Sequence, residues 1–151
     1  MLLKMQGVKK MKKQSLMNKS IILMTRLYQK NIPILPRLMQ QANRFIFACD
    51  IPRSVGIGKG TVFAHSGLGC VIHSNAKIGE NCKIQQNVTI GGRGKHGTPI
   101  IGNNVFIGAG STIIGGIKIG DNATIGAMTL VLKDVDKNET VVGIPARGVK
   151  K

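Results

Sequence analysis

Aliphatic residues recur at every sixth position along most of this chain. Ile72, Ile78, Ile84 and Ile90 form one run, and Ile101, Ile107, Ile113, Ile119, Ile125 and Val131 form another. Ile51, Ile57 and Phe63 keep the same stride upstream. Four places after the aliphatic residue stands a small or β-branched one: Val55, Thr61, Ala76, Cys82, Val88, Val105, Ser111, Ile117, Ala123, Thr129 and Val135. A stride of six matches neither a 3.6-residue helix nor a two-residue strand alternation. It predicts a short strand followed by a turn, repeated, with both marked residues pointing inward. Three such units would close one triangular coil of about eighteen residues, and stacked coils would bury a thin aliphatic column. Gly often follows the aliphatic residue, as at Gly58, Gly79, Gly91, Gly102, Gly108, Gly120 and Gly126. There it would relieve crowding or accept a positive φ at the corners.

The register breaks twice. Nine residues separate Phe63 from Ile72, and eleven separate Ile90 from Ile101. The second break holds Gly91-Gly92-Arg93-Gly94-Lys95-His96-Gly97-Thr98-Pro99. On a rigid solenoid an out-of-register loop is where function is grafted. Upstream, residues 15–32 show mixed helical spacing (Leu16, Ile21, Met24, Leu27, Tyr28). Pro33 and Pro36 interrupt the chain, and residues 37–48 again suit a helix. The expected organisation is a basic, disordered arm over 1–14, a helical segment over 15–48 that caps the solenoid, and the coil domain over 49–151.

Composition narrows the picture. Of 151 residues, 42% are apolar and 3% aromatic, so the chain folds around Ile, Val and small side chains. No apolar run is long enough to span a membrane, and no secretory signal pattern is present. The three cysteines, Cys49, Cys70 and Cys82, show no CxxC spacing. A reducing, cytoplasmic setting is the default. The formal charge is +16; residues 1–49 carry ten basic residues and no acid. A solvated arm is the preferred reading of that stretch, ahead of membrane-surface contact. Nucleic acid is not expected, because stacking aromatics are absent there.

Candidate chemistry is sparse. The spacing of His65, His73 and His96 does not resemble a zinc set, and Cys70 lacks a base-and-orienter arrangement, so neither a metal nor a thiol nucleophile is expected. His65 lies at the edge of the first register break. Asp50 precedes it by fifteen residues, so a coil of about eighteen lets the two pair on neighbouring layers. A carboxylate on one imidazole nitrogen leaves the other as a base, although an unpaired surface histidine has equal standing on spacing alone.

The residues from Asp50 to Arg147 resemble the serine acetyltransferase branch of the hexapeptide-repeat acyltransferases. The likeness is carried by Cys49-Asp50-Ile51, Ile57-Gly58-Lys59-Gly60, Gln86 through Lys95, Ile107-Gly108-Ala109-Gly110 and Val142-Gly143-Ile144-Pro145-Ala146-Arg147. This resemblance implies a mainly β fold, a left-handed parallel β-helix with a short N-terminal helical segment. It also implies an acetyl-CoA-dependent O-acetyltransferase that works as a homotrimer without a metal. His65 matches the family's general base and Asp50 its partner. Gly91, Gly92, Lys95, Ala109, Ala127, Lys133 and Arg147 would line the CoA groove. Three positions depart from the family pattern. Ala64 replaces the usual Asp before the histidine, Gly97-Thr98 replace Arg-His before the proline, and His73-Ser74 replace a Glu. The acceptor implied is therefore a small hydroxyl compound, serine by resemblance or a sugar of a surface polysaccharide by the departures. Two other classes stand beside these: a zinc hydro-lyase on the same helix, and a non-catalytic binding solenoid.

Overall fold

The computed structural model describes residues 15–149, so the basic arm over 1–14 lies outside the described residues. Helix α1 (Leu16–Gln29) starts at Ser15, whose hydroxyl accepts from the Asn18 amide at 3.3 Å. Helix α2 (Leu35–Phe47) begins two residues earlier than the sequence suggests. Pro36 falls in its first turn, where a missing N–H costs nothing.

Short strands follow: β1 (Gly56–Ile57), β2 (Val62–Phe63), β3 (Val71–Ile72), β4 (Lys77–Ile78), β5 (Lys83–Ile84), β6 (Thr89–Gly91) and β7 (Ile100–Ile101). Then come β8 (Phe106–Ile107), β9 (Thr112–Ile114), β10 (Lys118–Ile119), β11 (Thr124–Ile125), β12 (Leu130–Val131), β13 (Thr140–Val142) and β14 (Arg147–Gly148). They stack as three flat faces. The first face is β1-β4-β7-β10, the second is β2-β5-β8-β11-β13, and the third is β3-β6-β9-β12. Every pairing within these faces is parallel, and only β14 doubles back antiparallel on β13. This is the left-handed parallel β-helix, of about four turns.

Register accounts for both breaks in the stride. Val71 pairs with Thr89 and Thr112 with Leu130, one uninterrupted coil apart. Asp50 bridges Val71 across a coil three residues longer, and Thr89 pairs with Thr112 across one five residues longer. The first surplus is the 3₁₀ corner Ala64–Gly67, between the second and third faces. The second is the loop around the 3₁₀ turn Gly94–His96, between the third and first faces.

The core follows the six-residue stride. Of the aliphatic set only Ile57 is part-exposed, and every residue four places on is buried. Met17 and Ile21 of α1 close the column at the first coil. Asn18 locks that cap: its Oδ1 accepts from the Phe63 amide at 2.9 Å, and its Nδ2 donates to the Phe63 carbonyl at 3.0 Å. The glycines that follow the aliphatic residues and the positive-φ corners turn out to be separate devices. The corner between the first and second faces has positive φ at Gly60, Asn81, Asn104, Asn122 and Asn138. Asparagine tolerates this left-handed backbone better than most residues. The glycines after the aliphatic residue instead permit coils to approach. A Cβ on Gly108 would sit 2.5 Å from the Ala127 amide nitrogen of the next coil.

Candidate active site around the third face

Outward residues distinguish the faces. The first presents Lys77 and Lys118 and the second Lys83, whereas the third presents Val71, Thr89, Thr112 and Leu130. Apart from Asp50 at its first layer, this face is uncharged, and it is flanked by both register insertions. Most sequence-selected residues border it. Asp50 lies on it, bridged to Val71. His65 stands on the corner that leads into it, exposed, with left-handed backbone at φ 50° and ψ 38°. Ser66 continues that conformation at φ 55°. Two consecutive non-glycine residues in this region carry strain of a kind that concentrates at functional sites.

Ala109 and Ala127 stack on successive coils at the same corner, where the Met128 amide donates to the Ala109 carbonyl at 2.8 Å. On the opposite border Gly91 ends β6, with Gly92 and Lys95 in the loop beyond. Lys133 follows β12 and meets Arg147 in a cleft of about 490 Å³, together with Leu132, Asp134 and Ala146. Arg93 and His96 line a further cleft of about 370 Å³ with Gly116 and Leu132. A larger cleft, about 590 Å³, lies elsewhere, between α1 and β1.

The Asp50 carboxylate does not hydrogen-bond to His65. Its Oδ2 lies 3.8 Å from Arg44 Nη1, with side chains 36% and 64% exposed respectively. The three histidines do not converge on one point among the described residues: His65 stands at one corner, and His73, after β3, and His96, in the loop, stand on the opposite border. All three cysteines are buried. Burial raises each thiol, Cys49 from 9.0 to about 11 with Cys70 and Asp50 adding to the shift. Cys70 is thus a small core residue.

Two further residues belong to this region. His73 Nδ1 accepts from the Asn75 amide at 3.1 Å, so the neutral ring carries its proton on Nε2. That ring packs against Gly92, where a Cβ would meet His73 Nε2 at 3.3 Å and Thr98 Cγ2 at 3.2 Å. The loop is pinned to the same turn, Thr98 Oγ1 donating to the Asn75 carbonyl at 3.1 Å. The Gly92 amide finds no acceptor among the described residues. At the His65 corner, one coil on, Gln86 Oε1 is buried without a partner among the described residues. A buried polar atom left unpaired calls for a donor that the described residues do not supply.

Comparison with known proteins adds to this geometry. The family "Bacterial transferase hexapeptide (six repeats)" matches residues 98–133. The chain is 43% identical over 124 residues to a serine acetyltransferase of Synechococcus elongatus, covering 80% of this chain and 50% of that protein. It is 42% identical over 127 residues to one of Staphylococcus xylosus, covering 82% and 58%. The chain thus spans about half the length of the curated relatives it matches. Among solved structures, the soybean serine acetyltransferase apoenzyme superposes with a TM-score of 0.80 at 40% identity, over 88% of this chain and 56% of that one. The serine acetyltransferase of Brucella abortus in complex with coenzyme A gives 0.81 at 33%, over 89% and 54%.

Proposed function

We propose that the chain is a serine acetyltransferase-like hexapeptide-repeat transferase and an acetyl-CoA-dependent O-acetyltransferase, a reading supported by the hexapeptide match over residues 98–133 and by the serine acetyltransferase relatives. The observation that carries the reading is His65: an exposed imidazole on strained backbone, at the insertion beside an uncharged face. The relative solved with coenzyme A supports the choice of acyl donor. Lys95, Lys133 and Arg147 supply cations suited to the donor's phosphates; Gly91 and Gly92 keep that wall of the groove low, and Ala109 and Ala127, on the opposite border of the face, keep low the wall that a second copy presents.

Transfer is direct. His65 takes the proton of the acceptor hydroxyl as that oxygen attacks the thioester carbonyl. Because His65 and Gly92 stand on opposite borders of the third face, the donor for the developing oxyanion at each His65 is the unpaired Gly92 amide brought by a second copy. Collapse expels the CoA thiolate, and the imidazolium returns the proton to sulfur. Asp50 orients the imidazole by exchanging its exposed contact with Arg44 for His65. Gln86 Oε1 accepts from the acceptor or from an amide of the donor's arm. The working unit is a homotrimer in the cytoplasm, in which the uncharged third face packs against a second copy.

Serine is the acceptor that the relatives suggest. A sugar hydroxyl is the second reading, favoured by one observation: residues 64–76 and 81–120 contain no carboxylate. An amino acid's ammonium group would have only Asp50 to meet, whereas a polyhydroxyl acceptor needs neutral partners such as His73, Asn75 and Thr98. Thiol release from acetyl-CoA, measured with serine and with a panel of sugars, separates the two. His65→Ala should slow release about a hundred- to ten-thousand-fold and leave CoA binding intact. Retention of a near-normal rate removes His65 from the base role.

A further inference from the structure

Helix α2 wears its apolar side outward. At 100° per residue, Pro36, Gln40, Asn43 and Phe47 fall on one side, and this side is turned to the protein. Asn43 Oδ1 accepts from Ser20 of α1 at 2.8 Å. Gln40 Oε1 accepts from the amide and from Nη1 of Arg53, both at 3.2 Å. The opposite arc holds Ile34, Leu38, Ala42, Phe45 and Ile46. Phe45 is 94% exposed, Ile46 69%, Ile34 68% and Leu38 61%. Nothing among the described residues covers them. Arg37 and Arg44 run along one side of the stripe, and neither helix contains an acid. Lys19, Arg26, Lys30 and Arg53 add to the same cationic end, where Asp50 is the one acid through residue 79.

Charge decides what fits. A second copy laid on this stripe would bring the same uncompensated cations against it. A surface of negative charge over an apolar interior satisfies both halves at once. We propose that α2 seats the molecule on an anionic lipid bilayer, with Leu38, Phe45 and Ile46 entering the headgroup boundary and the flanking arginines contacting phosphate. Because α1 caps the first coil and α2 packs on α1, this docking leaves the third face and both insertions free. The inference goes beyond the proposed reaction and does not depend on it.

The test is flotation of the full chain with vesicles of phosphatidylcholine doped with phosphatidylglycerol, beside pure phosphatidylcholine vesicles. The doped vesicles should carry the protein at low salt and release it as salt rises. The double variant Leu38→Ser/Phe45→Ser should weaken partitioning at least about ten-fold, since each side chain brings a large apolar transfer term. Its melting temperature should stay unchanged, because both side chains point away from the protein. Arg37→Gln should narrow the preference for the doped vesicles. Absence of binding to the doped vesicles at low salt overturns the proposal. So does binding that the double variant leaves intact, which would assign lipid affinity to residues 1–14. An oligomer that the double variant splits while lipid binding persists assigns the stripe to a second copy and equally overturns it.

Discussion

Asp50 is the residue on which the proposed chemistry is most exposed to refutation, because its carboxylate faces Arg44 rather than His65. At 3.8 Å between an exposed guanidinium and a partly exposed carboxylate, Coulomb attraction screened as in water amounts to about 1 kcal/mol. Salt and side-chain ordering reduce it further, into the range of ordinary surface pairs. Giving up Arg44 therefore costs Asp50 at most about a five-fold factor, and substrate binding can supply that. Three variants with different outcomes follow. Removing the competitor in Arg44→Ala should leave kcat/KM unchanged or raise it by up to about five-fold. Asp50→Asn keeps the shape but loses the charge that steadies the imidazolium, and should lower kcat/KM by roughly ten- to a hundred-fold. His65→Ala removes the base and should cost about a hundred- to ten-thousand-fold. Thiol release gives the rates, and calorimetry should show unchanged CoA affinity in all three. If Arg44→Ala falls as far as Asp50→Asn, the ion pair is itself the functional element. If Asp50→Asn is as active as the parent, orientation by Asp50 is wrong.

Three further outcomes are expected. Gly108→Ala should lose about 1–3 kcal/mol in urea unfolding by overpacking. Asn104→Gly, at φ 56°, should stay within about 0.5 kcal/mol; equal losses would erase the distinction between coil approach and corner conformation. Gln86→Met should leave the urea midpoint unchanged or raised, because Oε1 is already unpaired. The same change should raise KM for acetyl-CoA or acceptor, and a wild-type KM removes Gln86 from the site. Cys49 titrates near 9.0 when unfolded and about 11 when folded. Its neutral thiol is thus favoured by folding, and that stability, full below pH 9, drains away as pH climbs toward 11. Urea midpoints across this window should fall more steeply for the parent than for Cys49→Ala, and parallel slopes would refute the shift.

The coil was legible because its inward positions answer one repeated demand. Each aliphatic residue meets another large apolar residue one layer above and below, so Ile84 stacks between Phe63 and Ile107, and selection for that column imposes a period. Both insertions were legible for the converse reason: surplus residues shift the period by a countable amount. The corner asparagines were not, since a left-handed φ leaves only a composition bias at widely spaced positions. Asn81 and Asn104 become a column only once the five-residue surplus between them has been assigned to the loop after β6. The outward stripe of α2 was half legible. Leu38, Phe45 and Ile46 show helical spacing, but spacing is blind to which side the protein takes, and here Asn43 and Gln40 win the buried side through hydrogen bonds.

The site was legible as two corners and not as contacts. Sequence distance brings Asp50 and His65 to neighbouring layers, yet the nearer partner of Asp50 is Arg44, supplied by a helix whose approach no repeat encodes. His73 and Gly92 show the same limit from the other side. In register His73 answers to Gly91, and its packing against Gly92 depends on how the loop folds back, with Thr98 tied to Asn75. A periodic scaffold therefore announces where its chemistry stands and conceals which groups touch, because the contacts are made by the aperiodic segments. That asymmetry is why Arg44, Gln86 and His73 are the informative variants, while another substitution in the aliphatic column would report on stability alone.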